Sequence, residues 1–349
     1  MIRTLTLFFI IIAGHNVYAQ ETGGRYTFQF LSLPNSARIT SLAGSLITVQ
    51  DDDVTLGYVN PAALNPLNHG HVSVSHQFHF ADIQHTYAAY GHHLKKWGIN
   101  SHFGIHHFDY GQFNYGNEIG QQEGSFGAAE TAFVLGASKI IENKLSVGVN
   151  LKNVFSSFES YNAYGLAADI GAIYKLDSAH TAIGLVIRNI GGEITSFNSE
   201  NKIAPLDIQI AYSKKLKYLP FRFSVIFQNL QRWGVRYDDP DKAQNTNLFG
   251  EEEEQTSFQV GLDNFFRHFA LNGEFLLGKS QNLRIRGGYN HLRRKELSLQ
   301  SLRSLAGFSM GLGIKISYFK LDYGIAYHHV AGATHHLSLG ANIFRFKKL

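Results

Sequence analysis

Apolar and polar residues alternate along most of the chain. In the segment 319–328 the odd positions are Phe, Leu, Tyr, Ile and Tyr, and the even positions are Lys, Asp, Gly, Ala and His. A period of two residues indicates a β-strand with one apolar and one polar face. Fourteen segments show this pattern, near 72–80, 84–92, 97–106, 128–139, 145–152, 163–175, 181–190, 206–210, 220–228, 269–275, 282–292, 306–317, 318–328 and 334–346. The pattern predicts an all-β protein.

The connections between these segments are alternately short and long. The longer ones are 108–126, 157–162, 191–204, 229–266, 292–305 and 329–333. Short periplasmic turns and longer external loops are typical of outer-membrane barrels, whose strands of about 9–11 residues cross the bilayer at a tilt. We therefore predict a 14-stranded antiparallel transmembrane β-barrel of the bacterial outer membrane, formed by residues 71–349. A soluble β-sandwich with its apolar face inward would show the same alternation and is the alternative.

The first 70 residues do not alternate. An early Arg3, an apolar run over 5–13 and small residues at Val17 and Ala19 predict a signal peptide over 1–19. Turn-forming residues at 33–36 and 60–61 then predict a compact segment over 20–70. We expect this segment either to plug the lumen of the barrel or to cap its periplasmic mouth.

The composition excludes several classes of protein. The chain has no cysteine, which rules out disulfides, thiol nucleophiles and thiolate metal sites. Its net charge of +4 is too small to indicate a nucleic-acid partner. Beyond the predicted signal peptide, no stretch approaches 18 consecutive apolar residues, which excludes helical membrane spans.

Three motifs suggest chemistry that the strand pattern argues against. The sequence GFSMG at 307–311 matches a nucleophile elbow around Ser309, but an elbow needs a strand-to-helix turn and Ser309 lies in the middle of a predicted strand. Adjacent residues of a strand face opposite ways, so a histidine pair such as 106–107 cannot give two ligands to one site. The three aspartates at 51–53 lack the spacing of a calcium loop. We predict no enzyme activity, no cofactor and no bound metal.

Charged residues on the polar faces of the strands would point into the lumen. They are Lys152, Arg188, Arg222, Arg284, Arg286, Lys315, Lys320, Asp169, Asp207, Glu274 and Asp322. They either line an open pore or pair with one another against the N-terminal segment. Pairing is the favoured interpretation, because unpaired charges away from water are costly.

The longest loop is the candidate contact site for a partner. It contributes aromatic residues beside an acidic run: Trp233, Tyr237, Phe249, Glu251, Glu252, Glu253, Glu254 and Phe258. Exposed aromatics with polar neighbours are typical of partner surfaces, whereas a solvated loop is the default for an acidic run.

The segment SARITSLAGSLITVQDDDVTLGYVNPAALN at 36–65 resembles the N-terminal segment of the 14-stranded FadL-like barrels, including their NPA signature at 60–62. Five further segments make the chain similar to the PorQ-type barrels of the Bacteroidetes type IX secretion system: 25–38, 262–268, 284–297, 306–316 and 320–333. This resemblance implies a non-enzymatic member of the attachment complex, which holds a PorZ-like surface protein and, through it, a PorU-like sortase and a PorV-like barrel. That complex joins secreted cargo to lipopolysaccharide. The FadL resemblance implies an alternative, the transport of hydrophobic small molecules.

Overall fold

The computed structural model is a closed barrel built around the N-terminal segment of the chain. It describes residues 24–117, 119, 121–176, 180–197, 201–236, 256–297, 305–329 and 332–344. The predicted signal peptide at 1–19 lies outside these residues. The strands of the described part are β1 His71–Phe78, β2 Gln84–Leu94, β3 Ile99–Gly116, β4 Gln122–Ile141, β5 Leu145–Phe158, β6 Tyr161–Lys175, β7 Thr181–Thr195, β8 Asp207–Lys215, β9 Phe221–Phe227, β10 Phe269–Leu277, β11 Leu283–Asn290, β12 Phe308–Ile316, β13 Phe319–His329 and β14 Gly332–Asn342.

Each strand pairs antiparallel with its neighbours along the chain, and β1 closes the barrel by pairing with β14. The closing register places His71 opposite Asn342 and Phe78 opposite His335. Closure leaves no sheet edge unpaired, which the interior of a membrane requires. The predicted fold class is confirmed.

The outward face of the barrel is apolar. In β13, Phe319 and Leu321 are 55% and 47% exposed, whereas Lys320 between them is 8% exposed and points inward. Similar outward positions occur on the other strands, among them Val74, Phe103, Leu135, Leu151, Ile170, Leu185, Ile210, Leu271, Ile285, Leu312 and Leu339. An apolar surface that encircles the molecule is far larger than a water-soluble monomer exposes. The soluble sandwich is therefore rejected, and the chain is an integral outer-membrane barrel.

Two of the predicted loops, and part of a third, are wrong, because the strands continue through them. β3 and β4 remain paired as far as Gly116 and Gln122, inside the predicted loop 108–126. β5 and β6 form a hairpin that leaves two residues, 159 and 160, of the predicted loop 157–162 unpaired, and β7 runs on to Thr195. Outside the bilayer both faces of a strand meet water, so the alternation fades while the backbone pairing continues.

The predicted irregular loops at 229–266 and 292–305 contain helices. The helices of the described residues are α1 Ala37–Ser41, α2 Leu56–Val59, α3 Ser257–Arg267 and α4 His291–Glu296. A capping box between Thr256 and Gln259 begins α3. Among the described residues, no helix combines the length and the apolar composition needed to cross a membrane.

Residues 24–70, here called the plug, lie inside the lumen. The plug consists of α1, α2, three short 3-10 turns and connecting segments. Its apolar side chains, such as Ile39, Leu46 and Leu56, are at most 1% exposed. Its backbone bonds to side chains on the inner wall, as between the N–H of Ala37 and Oγ of Ser338, 2.8 Å apart. The plug thus forms much of the core of the molecule.

Candidate functional site: the plug–wall interface and the external surface

Arg38 of the plug is the centre of a buried ion-pair cluster. Its guanidinium is 1% exposed and lies 2.8 Å from Oδ2 of Asp51, 3.0 Å from Oδ2 of Asp53 and 3.1 Å from Oε1 of Glu274. Asp51 and Asp53 belong to the plug, whereas Glu274 lies on β10. One arginine therefore connects the plug to itself and to the wall.

Glu274 also forms salt bridges with two arginines on the strands that neighbour β10. Nε of Arg286 on β11 lies 3.0 Å from Oε1 of Glu274, and Arg222 on β9 contacts the other carboxylate oxygen. Arg286 reaches further to Oδ1 of Asp322 at 2.5 Å. Four of the predicted lumenal charges thus form one cluster with the plug. They are Arg222, Glu274, Arg286 and Asp322.

Asp52 extends this cluster towards the turn between β12 and β13. Its carboxylate lies 3.0 Å from Nζ of Lys315, 2.5 Å from Nζ of Lys320 and 3.9 Å from the guanidinium of Arg284. Burial by itself raises the pKa of Asp52, but Lys320 and Lys315 outweigh it and lower the pKa to about 2. Asp52 therefore stays ionised in the folded protein down to strongly acidic pH.

Lys152 and Asp169 form a second, separate centre in the wall. Nζ of Lys152 lies 2.8 Å from Oδ1 of Asp169, and neither side chain is exposed. Lys152 also donates to Oδ1 of Asn189 at 2.7 Å and lies 4.7 Å from the ring centroid of Tyr58 in the plug. The wall charge is therefore packed directly against a plug aromatic.

A β-bulge in β7 aims two consecutive residues inward. The pairing of β6 with β7 shifts between Ala168 and Ile170, and both Arg188 and Asn189 are buried on the lumenal side. Arg188 was expected to face the lumen, whereas the inward direction of Asn189 has no signal in the sequence. Arg188 donates to the carbonyl oxygen of Leu31 at 3.1 Å.

Asp207 stands apart from the ion pairs. Its carboxylate accepts hydrogen bonds from the amide of Gln209 at 2.5 Å and from the backbone N–H of Asn229 at 3.0 Å. No cation of the described residues forms an ion pair with it. The eleven lumenal charges predicted from the sequence thus separate into the Arg38 cluster, the Lys152 centre, and Arg188 with Asp207 near the external end.

Glycines on the inner wall let the plug backbone approach closely. A Cβ added to Gly148 on β5 would lie 2.6 Å from the carbonyl carbon of Pro61, and one on Gly184 of β7 would lie 2.7 Å from the carbonyl oxygen of Ile47. Glycines of other strands lie as close to backbone or side-chain atoms of the plug: Gly91 on β2, Gly171 on β6, Gly288 on β11, Gly311 on β12 and Gly324 on β13. Seven strands are therefore shaped to fit the plug.

Two inward histidines and Ser309 also bond to the plug. Nδ1 of His106 lies 2.7 Å from the hydroxyl of Tyr58, and Nδ1 of His336 lies 2.8 Å from that of Thr40. Ser309, 4% exposed near the start of β12, accepts a hydrogen bond from the N–H of Ala43 at 3.0 Å. Among the described residues, no group of three or more histidines or carboxylates is placed to hold a metal ion.

The external surface beside β9 and β10 carries exposed aromatics. Trp233 and Phe258, both singled out from the sequence, are 57% and 75% exposed. Tyr237, Phe249 and the acidic residues Glu251, Glu252, Glu253 and Glu254 lie outside the described residues. The structure adds the exposed residues Leu262, Phe265 and Phe266 of α3, which together with Trp233 and Phe258 we call the α3 surface.

The α3 surface is anchored to the barrel through His268. The indole of Trp233 stacks on this imidazole with ring centroids 5.1 Å apart, and Nδ1 of His268 lies 2.8 Å from the carbonyl oxygen of Gln228. The spacing of Phe258, Leu262 and Phe265 at i, i+4 and i+7 is the sequence signal that could have identified the helix.

A family model matches residues 11–204 of the 349-residue chain, more than half of it. The chain belongs to the uncharacterised protein family UPF0164. The part that matches the UPF0164 model includes the plug and strands β1 to β7. Comparison with curated proteins gives no match.

Solved structures show the same fold as this UPF0164 chain. The toluene transporter TbuX of Ralstonia pickettii is 11% identical with a TM-score of 0.52, and the match covers 89% of this chain and 99% of TbuX. The deltaS2 mutant of the monoaromatic hydrocarbon channel TodX is 11% identical with a TM-score of 0.54, over 89% of this chain and 97% of TodX. Its deltaS2S3 mutant is 12% identical with a TM-score of 0.51, over 88% and 97%. At this level of identity the likeness shows the fold alone, which this chain shares with TbuX and TodX.

Proposed function

We propose that this chain is a non-enzymatic outer-membrane barrel that remains closed by its plug and holds a surface protein at its external end. The resemblance to the PorQ-type barrels suggests the setting, an attachment complex of the type IX secretion system with a PorZ-like partner that connects to PorU-like and PorV-like proteins and to lipopolysaccharide. The observation that carries the proposal is the fit of the plug, which is bonded through buried ion pairs and inserted against wall glycines on seven strands.

The plug–wall contacts argue for a permanent element rather than a gate. Removing one member of a buried ion pair typically destabilises a protein by about 3–5 kcal/mol, because the remaining charge is left without a partner. Arg38, Glu274 and Arg286 would all lose partners if the plug moved out of the lumen. A segment whose movement breaks several such contacts is suited to sealing the barrel.

The α3 surface supports a partner at the external end. Phe258 and Leu262 expose 75% and 45% of their surface, and aromatic side chains with polar neighbours supply much of the binding free energy at protein interfaces. The salt bridge between Asp263 and Lys295, 3.1 Å long, joins α3 to α4, and Asp263 also pairs with Arg267 one turn further along α3 at 2.8 Å. The aromatics are therefore presented on a fixed helix.

Transport of hydrophobic small molecules is the second candidate. It is supported by the fold shared with TbuX and TodX, which are named for toluene and monoaromatic hydrocarbons. The inner wall argues against it, because its inward side chains are largely charged groups, amides, hydroxyls and imidazoles. An apolar groove of about 400 Å³ bordered by Ile99, Val149 and Leu185 lies on the lipid side of the wall.

A pull-down from detergent-solubilised membranes tests the proposal. The double variant Phe258→Ser/Leu262→Ser is expected to form a heat-modifiable barrel but to lose the surface protein that wild type retains, as identified by mass spectrometry. Tyr218→Ser is the matched control, since Tyr218 is 89% exposed in the turn between β8 and β9 at the opposite end. Retention of the partner by the double variant would reject the α3 surface as its docking site.

Uptake measurements separate the two candidates. Cells that express the barrel are expected to take up labelled toluene at the rate of cells without it, and the reconstituted wild-type barrel is expected to conduct little in a planar bilayer. Saturable toluene uptake that depends on the barrel, with no protein partner recovered, would favour transport instead.

A further inference from the structure

A polar cavity lies between the plug and the external part of the barrel. It has a volume of about 240 Å³, enough for about eight water molecules. Its walls come from the plug, from β7, from the segments that flank β8 and β9, and from α4. The polar and charged side chains that line it include Arg188, Asp207, Gln209, Gln228, Asn229, Asn290, Arg293 and Glu296.

The acidic side chains of this cavity already have partners. The carboxylate of Asp207 accepts hydrogen bonds from Gln209 and from the backbone of Asn229. Glu296 lies exposed at the end of α4 and also has a partner. The charge of Glu296 acts on Arg293 of the same helix, but among the described residues neither Asp207 nor Glu296 forms a salt bridge with Arg188 or Arg293.

The guanidinium of Arg188 has N–H groups that do not bond to any described residue. Its side chain is 4% exposed, and its Nε finds no hydrogen-bond partner among the described residues, although another nitrogen donates to Leu31. The side chain faces inward by the alternation of β7, as Val186 does two residues before it. An arginine guanidinium has five N–H donors, more than the bond to Leu31 uses, so an acceptor in the cavity would be stabilising.

Arg293 faces the same cavity from α4. Its guanidinium packs over Gly44 of the plug, where an added Cβ would lie 3.1 Å from both terminal nitrogens. No described residue accepts a hydrogen bond from this guanidinium. Two arginines on separate elements therefore present unused donors to one cavity.

We propose that this cavity binds a small hydroxylated anion, with a carboxylate or phosphate held by Arg188 and Arg293. Arginine recognises both groups through paired N–H donors. The neighbouring amides of Gln228, Asn229 and Asn290 offer donors and acceptors that suit hydroxyl groups. The ligand class is an acidic sugar of about monosaccharide size. The site is independent of the proposed partner surface, and its polarity does not suit a hydrocarbon.

Calorimetric titration of the purified barrel, in a detergent without a sugar headgroup, tests this site. The probes are galacturonate for a carboxylate, glucose 6-phosphate for a phosphate, galactose for the same body without charge, and benzoate for a carboxylate on an apolar body. We expect one or both sugar anions to bind with a Kd of about 1 mM or tighter, and galactose and benzoate to bind at least about tenfold more weakly. The better sugar anion identifies which charged group the site prefers.

Two variants locate the binding. Arg293→Gln is expected to weaken the better probe at least about tenfold while heat-modifiability stays as in wild type. Arg294→Gln, on the same helix but outside the cavity lining, is the matched control and should bind as wild type does. Arg188→Gln provides a second test from the wall.

Two results would overturn the proposal. One is that neither sugar anion binds at millimolar concentration, or that galactose and benzoate bind as tightly as the anions. The other is that Arg293→Gln and Arg188→Gln both retain wild-type affinity in folded barrels. Binding of the surface partner does not test the cavity, because the α3 surface does not line it. Failure of the ligand to bind therefore leaves the proposed partner surface untouched.

Discussion

Nζ of Lys152 lies 2.8 Å from Oδ1 of Asp169, and both side chains are completely buried where the barrel wall meets the plug. Lys152→Met is expected to lower the free energy of unfolding by about 3–5 kcal/mol, because Asp169 is left charged and unpaired. The double variant Lys152→Met/Asp169→Asn should recover much of this loss. Urea unfolding in detergent micelles measures both, and equal destabilisation of the single and double variants would contradict the argument.

Gly148 tests the fit between the wall and the plug. A Cβ at this position would lie 2.6 Å from the carbonyl carbon of Pro61, so Gly148→Ala must push the plug backbone away from β5. We expect a loss of about 1–3 kcal/mol in the free energy of unfolding, and faster proteolysis of the plug. Gly287→Ala is the control, because an added Cβ there meets nothing within 4 Å. Similar behaviour of the two variants would argue against close packing of the plug.

Leu339 tests the assignment of the lipid-facing side. It is 61% exposed on the outward face of β14, opposite Val74 on β1 and Leu321 on β13. Leu339→Arg is expected to destabilise the lipid-inserted barrel by about 2–4 kcal/mol, since it places a charge in hydrocarbon. Tyr218→Arg, in an exposed turn, should change stability by less than about 0.5 kcal/mol. Unfolding in lipid vesicles distinguishes them, and a neutral effect at Leu339 would mean that this face meets water.

Asp52 predicts a dependence of stability on pH. Because its pKa is lowered to about 2 in the folded protein, its ion pairs with Lys315 and Lys320 stabilise the fold above the unfolded-state value near 3.8. This contribution, up to about 2 kcal/mol, is lost as the pH falls towards 2. The difference in unfolding free energy between wild type and Asp52→Asn should therefore be largest at pH 5 and shrink towards pH 2. A difference that is constant with pH would show that Asp52 titrates normally.

The alternation of apolar and polar residues predicts the barrel, because within each strand it shows which side chains face the lipid. Phe319, Lys320 and Leu321 illustrate this, since their directions follow from a period of two and their surroundings follow from strand number and loop order. The same reasoning fails at 108–126, where β3 and β4 leave the bilayer and no longer need an apolar face.

The site depends on contacts that local patterns do not contain. Nothing near Gly148 in the sequence indicates that Pro61 will pack against it, and the direction of Asn189 follows from a bulge that one extra residue creates. The charges of Arg38 and Asp51 are visible in the sequence, but their meeting with Glu274 spans more than 200 residues. The helix α3, in contrast, has an apolar spacing that indicates a helix, although the β-strand pattern on both sides of it favours a loop between strands.

The contact of the plug with glycines on seven strands has a consequence for assembly. A wall shaped this closely around its contents cannot easily be closed first and filled afterwards, because the plug touches β5 on one side and β13 on the other. We infer that the N-terminal segment is a template on which the strands gather before β1 meets β14. A barrel made without residues 24–68 should then insert slowly or in the wrong register, and the same segment supplied later as a separate peptide should not restore it. Full rescue by the late peptide would show instead that the wall closes on its own.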